Sequence, residues 1–192
     1  GAERVVSRLS TILKSNYNIS VVIFDSSKID YDCDAPIIDL NEKATSNNPF
    51  IKFLKVIKRS YKYYKYKKNN KVDITYSFGN TANFTNVFSF GKDYKITSIR
   101  GFGNINLENK TIIGYFYKLL LKLSLTKSDK IVSVSRVIKD HLIQKFNIKE
   151  NKVAIIYNGY NVQEIQEKCV NKNNNSMYFN FVSMGTYRKE KN

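Results

Sequence analysis

Residues suited to ligand binding follow predicted strands along this chain. The strand-end segments are Ser77-Phe78-Gly79, Arg100-Gly101, Ser135, Asn158-Gly159 and Gly185. In parallel α/β sheets, ligands bind in the crevice beyond the carboxyl ends of the strands. We therefore expect a ligand-binding cleft at this edge of a sheet.

Three of these segments also have a structural interpretation. Arg100-Gly101 can form part of an ordinary turn, in which glycine allows a positive φ. Ser135 precedes a helical pattern, and a helix N-cap is the favoured role for a serine there. Asn158-Gly159 is a common turn pair, which we expect to end a strand near an interdomain hinge.

Nucleophilic and metal-ligating residues are few. The two cysteines, Cys33 and Cys169, are far apart and outside any C-x-x-C spacing, so we expect reduced thiols and no metal site. The single histidine, His141, lies in a predicted helix without the neighbours that a catalytic triad needs. The catalytic residues are therefore not identified from these residue types.

The elements that must position the strand-end residues alternate between strands and helices. The predicted strands are Ile19–Phe24, Pro36–Leu40, Val72–Ser77, Lys95–Ile99, Lys130–Val134, Val153–Ile156 and Tyr178–Ser183. The main predicted helices are Phe50–Lys68, Thr111–Thr126 and Arg136–Phe146, and Glu164–Glu167 forms a helical turn. Strands and helices at this spacing predict βαβ units and a parallel sheet.

The chain is strongly basic. Its 192 residues carry a net charge of +16, which attracts anionic partners such as nucleic acid, lipid headgroups or phosphorylated substrates. The segment from Lys52 to Lys71 combines an apolar stripe with many cations and no acid. It is a solvated face, a membrane-surface helix or a nucleic-acid site. The membrane alternative involves Lys52, Lys55, Arg59, Lys62 and Lys65.

Gly1-Ala2-Glu3-Arg4-Val5 opens a predicted helical pattern, and the segment from Lys127 to Ser135 covers a predicted strand and its end. The first resembles the G-G-A-E-R-V helix start of family-four retaining glycosyltransferases, and the second resembles the family's A-D-x-I-I-x-V-S strand. Two further motifs follow in the family's order. The segment from Val153 to Asn161 resembles V-x-V-I-Y-N-G-V-D. The segment from Phe181 to Gly185, with Lys191-Asn192, resembles F-V-x-V-G-R-L-x-x-x-K-N.

The resemblance implies a fold of two Rossmann-like domains, the GT-B fold, of which this chain holds the N-terminal, acceptor-side half. The implied divisions are a Rossmann-like domain over 1–169, a linker over 170–177 and the start of a donor-binding domain over 178–192. The chain opens without an initiator Met and stops without a helix cap, so we expect both ends to be cuts. The family's first strand would then be missing.

The chemistry implied by the resemblance is transfer of a sugar from a nucleotide-sugar donor to an acceptor hydroxyl, with retention at the anomeric carbon and without a metal or other cofactor. The implied acceptor-side cleft comprises Gly1, Glu3, Arg4, Arg100, Gly101 and Ser135. The implied hinge is Asn158-Gly159, and the implied donor-phosphate site comprises Gly185, Arg188 and Lys191. The donor-phosphate residues would face the negative charge that builds on the leaving diphosphate.

The sequence departs from the family pattern at two positions. Thr186 stands where an Arg is expected, and Arg100 stands where many members carry a His. A guanidinium does not act as a general base near neutral pH, so Arg100 is predicted to bind phosphate or an acidic acceptor. The paired-Glu motif of the C-terminal domain is absent. We therefore expect the chain to be inactive by itself.

The resemblance also suggests partners and a location. We expect a glycan or lipid-linked acceptor in bacterial polysaccharide or lipopolysaccharide synthesis, in the cytoplasm or peripherally on the inner face of the plasma membrane. The alternative is a basic α/β module for nucleic acid or anionic membrane, although no helix-turn-helix, zinc-finger or RNP-type signature appears. A dinucleotide enzyme is disfavoured because Gly101-Phe102-Gly103 lacks the third glycine, with Asn106 in its place.

Overall fold

The computed structural model describes residues 1–27, 29–43, 48–101 and 111–169. The helices are α1 (Ala2–Leu13), α2 (Pro49–Asn70), α3 (Asn80–Phe88), α4 (Ile112–Lys127), α5 (Arg136–Phe146) and α6 (Val162–Cys169). The strands are β1 (Val21–Ile23), β2 (Ile37–Asp39), β3 (Ile74–Phe78), β4 (Tyr94–Ile99), β5 (Lys130–Ser133) and β6 (Val153–Ile155).

The chain divides into two compact units, Gly1–Tyr157 and Asn158–Asn192. The first unit contains α1 through β6, and the second contains α6. The predicted linker over 170–177 and the predicted strand Tyr178–Ser183 lie outside the described residues. The domain limits implied by the resemblance therefore stay predictions.

Among the described residues, every strand pair is parallel. The strands form a two-stranded sheet, β1-β2, and a four-stranded sheet in the order β3-β4-β5-β6. In the larger sheet α3, α4 and α5 connect successive strands, which is the βαβ pattern. The predicted α/β architecture of parallel strands flanked by helices is confirmed. The strands form two separate sheets, one of β1 and β2 and one of β3 to β6.

The apolar core lies between the four-stranded sheet and its connecting helices. Its buried members are Phe84, Ile99, Leu121, Leu125, Ile131, Ile138, Leu142, Phe146, Ile148 and Val153. They come from α3, α4, α5, the strands β4 to β6 and, for Ile148, the connection after α5, so the core holds these helices against the sheet. Within the described ranges, no helix is long and apolar enough to cross a membrane.

A buried ion cluster fixes the end of α2 to the sheet. Lys67 Nζ lies 2.7 Å from Asp93 Oδ1 and donates to the carbonyl of Ser89, and Lys95 Nζ lies 3.1 Å from the same Asp93 oxygen. The Lys67 and Asp93 side chains are 3% and 1% exposed. Burial opposes ionisation of Asp93, but hydrogen bonds from Lys67 and Thr75 outweigh it and hold the pKa of the carboxyl below its ordinary value. The cluster lies before β4, at the edge opposite the predicted cleft.

Candidate functional site

The carboxyl ends of the strands in the larger sheet lie side by side. The register pairs Phe78 with Ser98 and Ile99 with Ser133, and Ser133 pairs in turn with Ile155. The strands β3 to β6 therefore end along one edge, as the sequence predicts. Ligands in open parallel sheets bind along such an edge.

Helix α3 begins at this edge, directly after β3. Gly79 adopts φ 92° directly after β3 and serves as the N-cap of α3, with no side-chain capping bond. A residue with a Cβ is disfavoured at this φ, so glycine is required by the backbone and not by crowding. The uncapped N–H groups of a first helical turn carry partial positive charge, which suits an anion.

A buried amide network holds α3 against the strands. Asn83 accepts a bond from the Ser77 hydroxyl at 2.8 Å and donates to the Ser98 carbonyl at 3.0 Å. Asn86 Oδ1 lies 2.8 Å from the Thr75 hydroxyl, and both asparagines are 1% exposed. The network fixes α3, and hence Gly79, relative to β3 and β4. These asparagines were not predicted from the sequence, although their i, i+3 spacing places them on one helix face.

Arg100 lies half-buried immediately after β4, on the same edge. Burial raises the pKa of the Tyr76 phenol on β3, and a hydrogen bond with Ser98 and then the charge of Arg100 partly offset that rise. The Tyr76 ring lies 4.3 Å from the Phe78 ring, centroid to centroid. Phe78 belongs to a predicted strand-end segment, whereas Tyr76 was not predicted as a neighbour of the cleft; its signal is the alternation of Ile74, Tyr76 and Phe78 along β3.

Ser135 is a helix cap. Its Oγ accepts from the Ile138 N–H at 3.3 Å, and its carbonyl accepts from the Lys139 N–H at 3.2 Å. Ser133 Oγ in turn donates to the Ser135 carbonyl at 3.2 Å. The favoured sequence interpretation of Ser135 as an N-cap is confirmed, and α5 begins three residues beyond the end of β5.

The other predicted cleft residues lie in two places, at the edge of the larger sheet and at the start of α1. Gly101 follows Arg100 at the sheet edge and is exposed. Gly1 caps α1, and its neighbours Glu3 and Arg4 lie on the first helical turn. Helix α1 is fastened to the loop after β1, where the Ser7 hydroxyl donates to the Asp32 carbonyl at 2.6 Å. The role of these first-turn residues in a cleft stays a prediction.

The predicted hinge lies within the described residues, whereas the predicted donor-phosphate site does not. The boundary between the two compact units lies directly before Asn158, next to Gly159, which is where the sequence predicts a hinge. Its role as a hinge remains a prediction. The predicted donor-phosphate residues Gly185, Arg188 and Lys191 lie outside the described part of the chain.

The predicted membrane-surface cations on α2 do not share one environment. Arg59 is only 6% exposed; its guanidinium donates to the Glu42 carbonyl and lies 4.1 Å from the Phe24 ring centroid. Lys62 Nζ lies 2.6 Å from the Glu42 carboxylate, which is itself buried, and hydrogen bonds from Lys62 keep its pKa low. Arg59 is therefore an interior residue and not part of a surface, because its guanidinium binds the Glu42 carbonyl and packs on the Phe24 ring.

The remaining α2 cations stay closer to the surface. Lys55 donates to the Lys43 carbonyl and is half-buried, whereas Lys52 and Lys65 are exposed. The Lys65 ammonium lies 4.7 Å from the centre of the Tyr61 ring. Lys52 and Lys65 are thus the members of the predicted set that remain available to an anionic partner.

Titratable and metal-binding side chains add little to the cleft. Among the described residues, no group of three His, Cys, Asp or Glu side chains could hold a metal ion. His141 lies on α5 with its ring 6.4 Å from that of Phe146, and burial followed by the charge of Lys145 lowers its pKa. Cys33 is a free, half-buried thiol. The cleft chemistry therefore rests on Arg100 and the helix N-termini.

These groups suit a ligand with negative charge. A guanidinium binds phosphate or carboxylate oxygens bidentately, and helix N-termini add N–H donors of fixed direction. The edge can therefore bind and orient an anionic ligand, and Tyr76 and Phe78 supply apolar surface beside it.

Comparison with known proteins places this arrangement in a family. The family model described as Glycosyltransferase Family 4 matches residues 1–164. A curated relative from Campylobacter jejuni subsp. jejuni serotype O:2, N-acetylgalactosamine-N,N'-diacetylbacillosaminyl-diphospho-undecaprenol 4-alpha-N-acetylgalactosaminyltransferase, is 28% identical over 174 residues. That match covers 88% of this chain and 47% of the relative, so the chain spans about half of the relative's length.

A solved structure agrees with this placement at the level of the fold. The crystal structure of a glycosyltransferase from Rickettsia africae ESF-5 superimposes with a TM-score of 0.54 at 20% sequence identity. The superposition covers 87% of this chain and 44% of that chain. The family model extends over most of the sequence, from the first turn of α1 into α6, and the chain therefore belongs to Glycosyltransferase Family 4.

Proposed function

We propose that this chain supplies the acceptor-side half of a retaining glycosyltransferase that moves a sugar from a nucleotide-sugar donor to an acceptor hydroxyl. The position of Arg100 at the carboxyl edge of the larger sheet carries the proposal. Arg100 follows β4, which lies between the strand that leads into α3 and the strand that leads into α5. The family match over residues 1–164 supplies the reaction class.

The proposed acceptor is a lipid-linked glycan used in bacterial cell-surface polysaccharide or lipopolysaccharide synthesis. The name of the Campylobacter relative describes a sugar carried on diphospho-undecaprenol. A diphosphate linkage would give Arg100 and the N–H groups at the edge an anionic partner. The reaction would then take place at the inner face of the plasma membrane, with the protein bound peripherally.

The residues at the sheet edge would bind and orient the acceptor, and residues toward the C-terminal end of the chain would stabilise the leaving group. Sugar transfer passes through a state that resembles an oxocarbenium ion, while negative charge builds on the departing diphosphate. We assign that charge to the predicted donor residues Gly185, Arg188 and Lys191, without a metal ion. Arg100 keeps its charge at neutral pH, so its proposed task is to position the acceptor.

The proposal is tested by equilibrium binding of two ligands to the 192-residue chain. A polyprenyl-diphosphate-linked sugar is expected to bind, and nucleotide sugars are expected to bind far more weakly. Arg100→Ala should weaken acceptor binding and leave the melting temperature close to that of wild type. Nucleotide sugars that bind as tightly as the acceptor would contradict the acceptor-side assignment.

A second candidate function rests on the net charge of +16, which also fits a module that binds nucleic acid. Binding through phosphate neutralisation weakens steeply as salt rises. Tight DNA binding at physiological salt, combined with no affinity for the lipid-linked acceptor, would favour this candidate.

A further inference from the structure

The side chains of β3 alternate between the two faces of the larger sheet. The hydroxyls of Thr75 and Ser77 each lie 2.8 Å from an asparagine oxygen of α3, so these two residues face that helix. Successive side chains of a strand point to opposite faces. Tyr76 and Phe78 therefore lie on the face of β3 that is turned away from α3.

The residues at the end of β4 share that face. Ser98 stands opposite Phe78 in the strand register, so it points the same way, and the alternation places Arg100 there as well. The electrostatics of Tyr76 agree with this placement. Burial raises the pKa of its phenol, and a hydrogen bond with Ser98 and the charge of Arg100 oppose that rise. Two aromatic rings and a guanidinium thus share one face at the carboxyl edge.

The two rings form a continuous aromatic surface, which we call the aromatic pair. The centroids of the Tyr76 and Phe78 rings are 4.3 Å apart, and their planes make an angle of 38°. Both side chains are half-buried, so each keeps part of its area at the surface. Phe78 is the last residue of β3 and Tyr76 packs behind it, so Phe78 is the ring nearer to the cleft.

Two glycines leave room beside the aromatic pair. Gly79 follows Phe78 directly, and Gly101 follows Arg100. Among the residues that the structure describes, no atom lies within 4 Å of the position that a Cβ would take on either glycine. Glycine allows a ligand to approach the backbone closely. A ligand group held between Arg100 and the start of α3 would therefore lie beside the Phe78 ring.

The chemistry of a lipid-linked glycan indicates which part of it meets this ring. The first sugar of such an acceptor is bonded directly to the diphosphate, so it lies next to the groups that bind phosphate. The face of an aromatic ring carries partial negative charge. The C–H bonds on one side of a sugar ring carry partial positive charge, so that side of the sugar is attracted to an aromatic face.

We propose that Phe78, supported by Tyr76, stacks against the sugar next to the diphosphate of the acceptor and makes the protein selective for a glycosylated lipid diphosphate. The inference rests on the proposed function, which puts the diphosphate at Arg100 and the start of α3. The aromatic pair determines specificity and takes no part in breaking or forming bonds.

Equilibrium binding of two lipid probes to the 192-residue chain tests the inference. One probe is a short polyprenyl diphosphate that carries a single N-acetylhexosamine, and in the other probe a methyl group replaces the sugar. Both probes have the same charge, so their difference in affinity reports on the sugar alone. Wild type should bind the sugar probe about fivefold to tenfold more tightly, the range expected for one aromatic contact.

Three variants separate the sugar contact from the diphosphate contact. Phe78→Leu should bring the two affinities within about twofold of each other, because leucine is apolar but lacks an aromatic face. Phe78→Tyr should keep the preference for the sugar probe. Arg100→Ala should weaken both probes by a similar factor and leave the preference in place, since both probes share the diphosphate.

The matched control is Phe90→Leu, the same substitution at a phenylalanine that is 78% exposed. Phe90 lies between the end of α3 and the start of β4, at the opposite edge of the sheet, so neither affinity should change. Thermal melting checks that each variant folds. A folding defect would weaken both probes together, whereas loss of the sugar contact changes their ratio.

Equal affinity of wild type for the two probes would overturn the inference and leave the proposed acceptor role standing. If neither probe bound, the proposed function would fail, and the inference would fail with it. A preference that Phe78→Leu left unchanged would show that the sugar is recognised elsewhere. The inference is also wrong if Phe78→Leu abolishes binding of a nucleotide sugar but not of the lipid probes, because the ring would then stack on a nucleobase.

Discussion

Lys67 on α2 and Asp93, directly before β4, form an ion pair of 2.7 Å in the interior. Strand β4 leads from Asp93 to Arg100. Asp93 also accepts hydrogen bonds from Thr75 at 2.8 Å and from Lys95 at 3.1 Å. One carboxylate thus balances two buried ammonium groups. Loss of such a partner is costly because the remaining charge cannot return to water.

Asp93→Asn should therefore destabilise the fold strongly. We expect the free energy of unfolding to fall by about 3–5 kcal/mol, as is typical when one partner of a buried ion pair is removed. Chemical denaturation measures the change. Glu150→Gln, which removes the exposed partner of Lys139, is the control and should leave the denaturation midpoint in place. A similar midpoint for both variants would show that the cluster contributes no stability.

The same cluster predicts a pH dependence. The pKa of Asp93 is lowered in the folded state, so its stabilising effect is present above its unfolded pKa of about 3.9. The effect is lost as pH falls through the folded value, because protonation then removes the charge. The difference in stability between wild type and Asp93→Asn should therefore shrink below about pH 4. A constant difference down to pH 2 would contradict this assignment.

Ser135→Ala separates the capping role from a ligand-binding role. Loss of the cap should lower the free energy of unfolding by about 1 kcal/mol. Ser135→Asp keeps an oxygen acceptor for the Ile138 N–H and should restore the stability. If Ser135→Asp restores stability but abolishes acceptor binding, Ser135 also contacts the ligand, and the purely structural interpretation is wrong.

Asn83→Ala tests how the start of α3 is held. The substitution removes the amide partner of the Ser77 hydroxyl and of the Ser98 carbonyl. Leaving buried groups of this kind without that partner should cost about 1–3 kcal/mol in unfolding free energy. Asn69→Ala, on the exposed side of α2, is the control and should change it by less than about 0.5 kcal/mol. Equal effects of the two substitutions would show that the network does not hold α3.

Arg100 is predicted to set affinity for the acceptor. In a version of the protein extended at both ends, Arg100→Ala should raise KM for a lipid-linked acceptor about 10- to 100-fold, the range expected for one lost charge-assisted bond. Arg100→Lys should recover only part of the loss, because lysine lacks the planar fork of donors. KM for the nucleotide sugar should stay the same.

The control for Arg100 is Lys149→Ala. Lys149 is exposed and precedes β6, so it lies at the opposite edge of the larger sheet. Its substitution should leave both KM values unchanged. An effect as large as that of Arg100→Ala would mean that net charge, and not the cleft, governs acceptor affinity.

Local signals predicted the elements around β5 and α5 well. The helix Arg136–Phe146 has the predicted bounds because Ser135 caps its start and Asn147, at φ 53°, ends it in the left-handed region. The helix near Glu164–Glu167 is longer than predicted, running over Val162–Cys169. Its few apolar positions gave only a weak helical pattern.

Burial of charge was not predictable from the same signals. Lys67 lies within a run of basic residues, which normally indicates a solvated face, and its partner Asp93 is distant in sequence. The stripe on α2 was visible, but periodicity alone does not say which face of a helix meets the sheet. The buried ion pair and Arg59 turn the basic side of α2 inward and leave Leu54 and Ile57 outside.

The most direct test of the central claim is transfer of a labelled sugar from a panel of nucleotide sugars to a lipid-linked acceptor, by this chain and by the version extended at both ends. We predict that only the extended protein transfers a sugar and that it does so with retention and in the presence of EDTA. If neither protein transfers any sugar, while the chain binds DNA tightly at physiological salt, the glycosyltransferase account is contradicted.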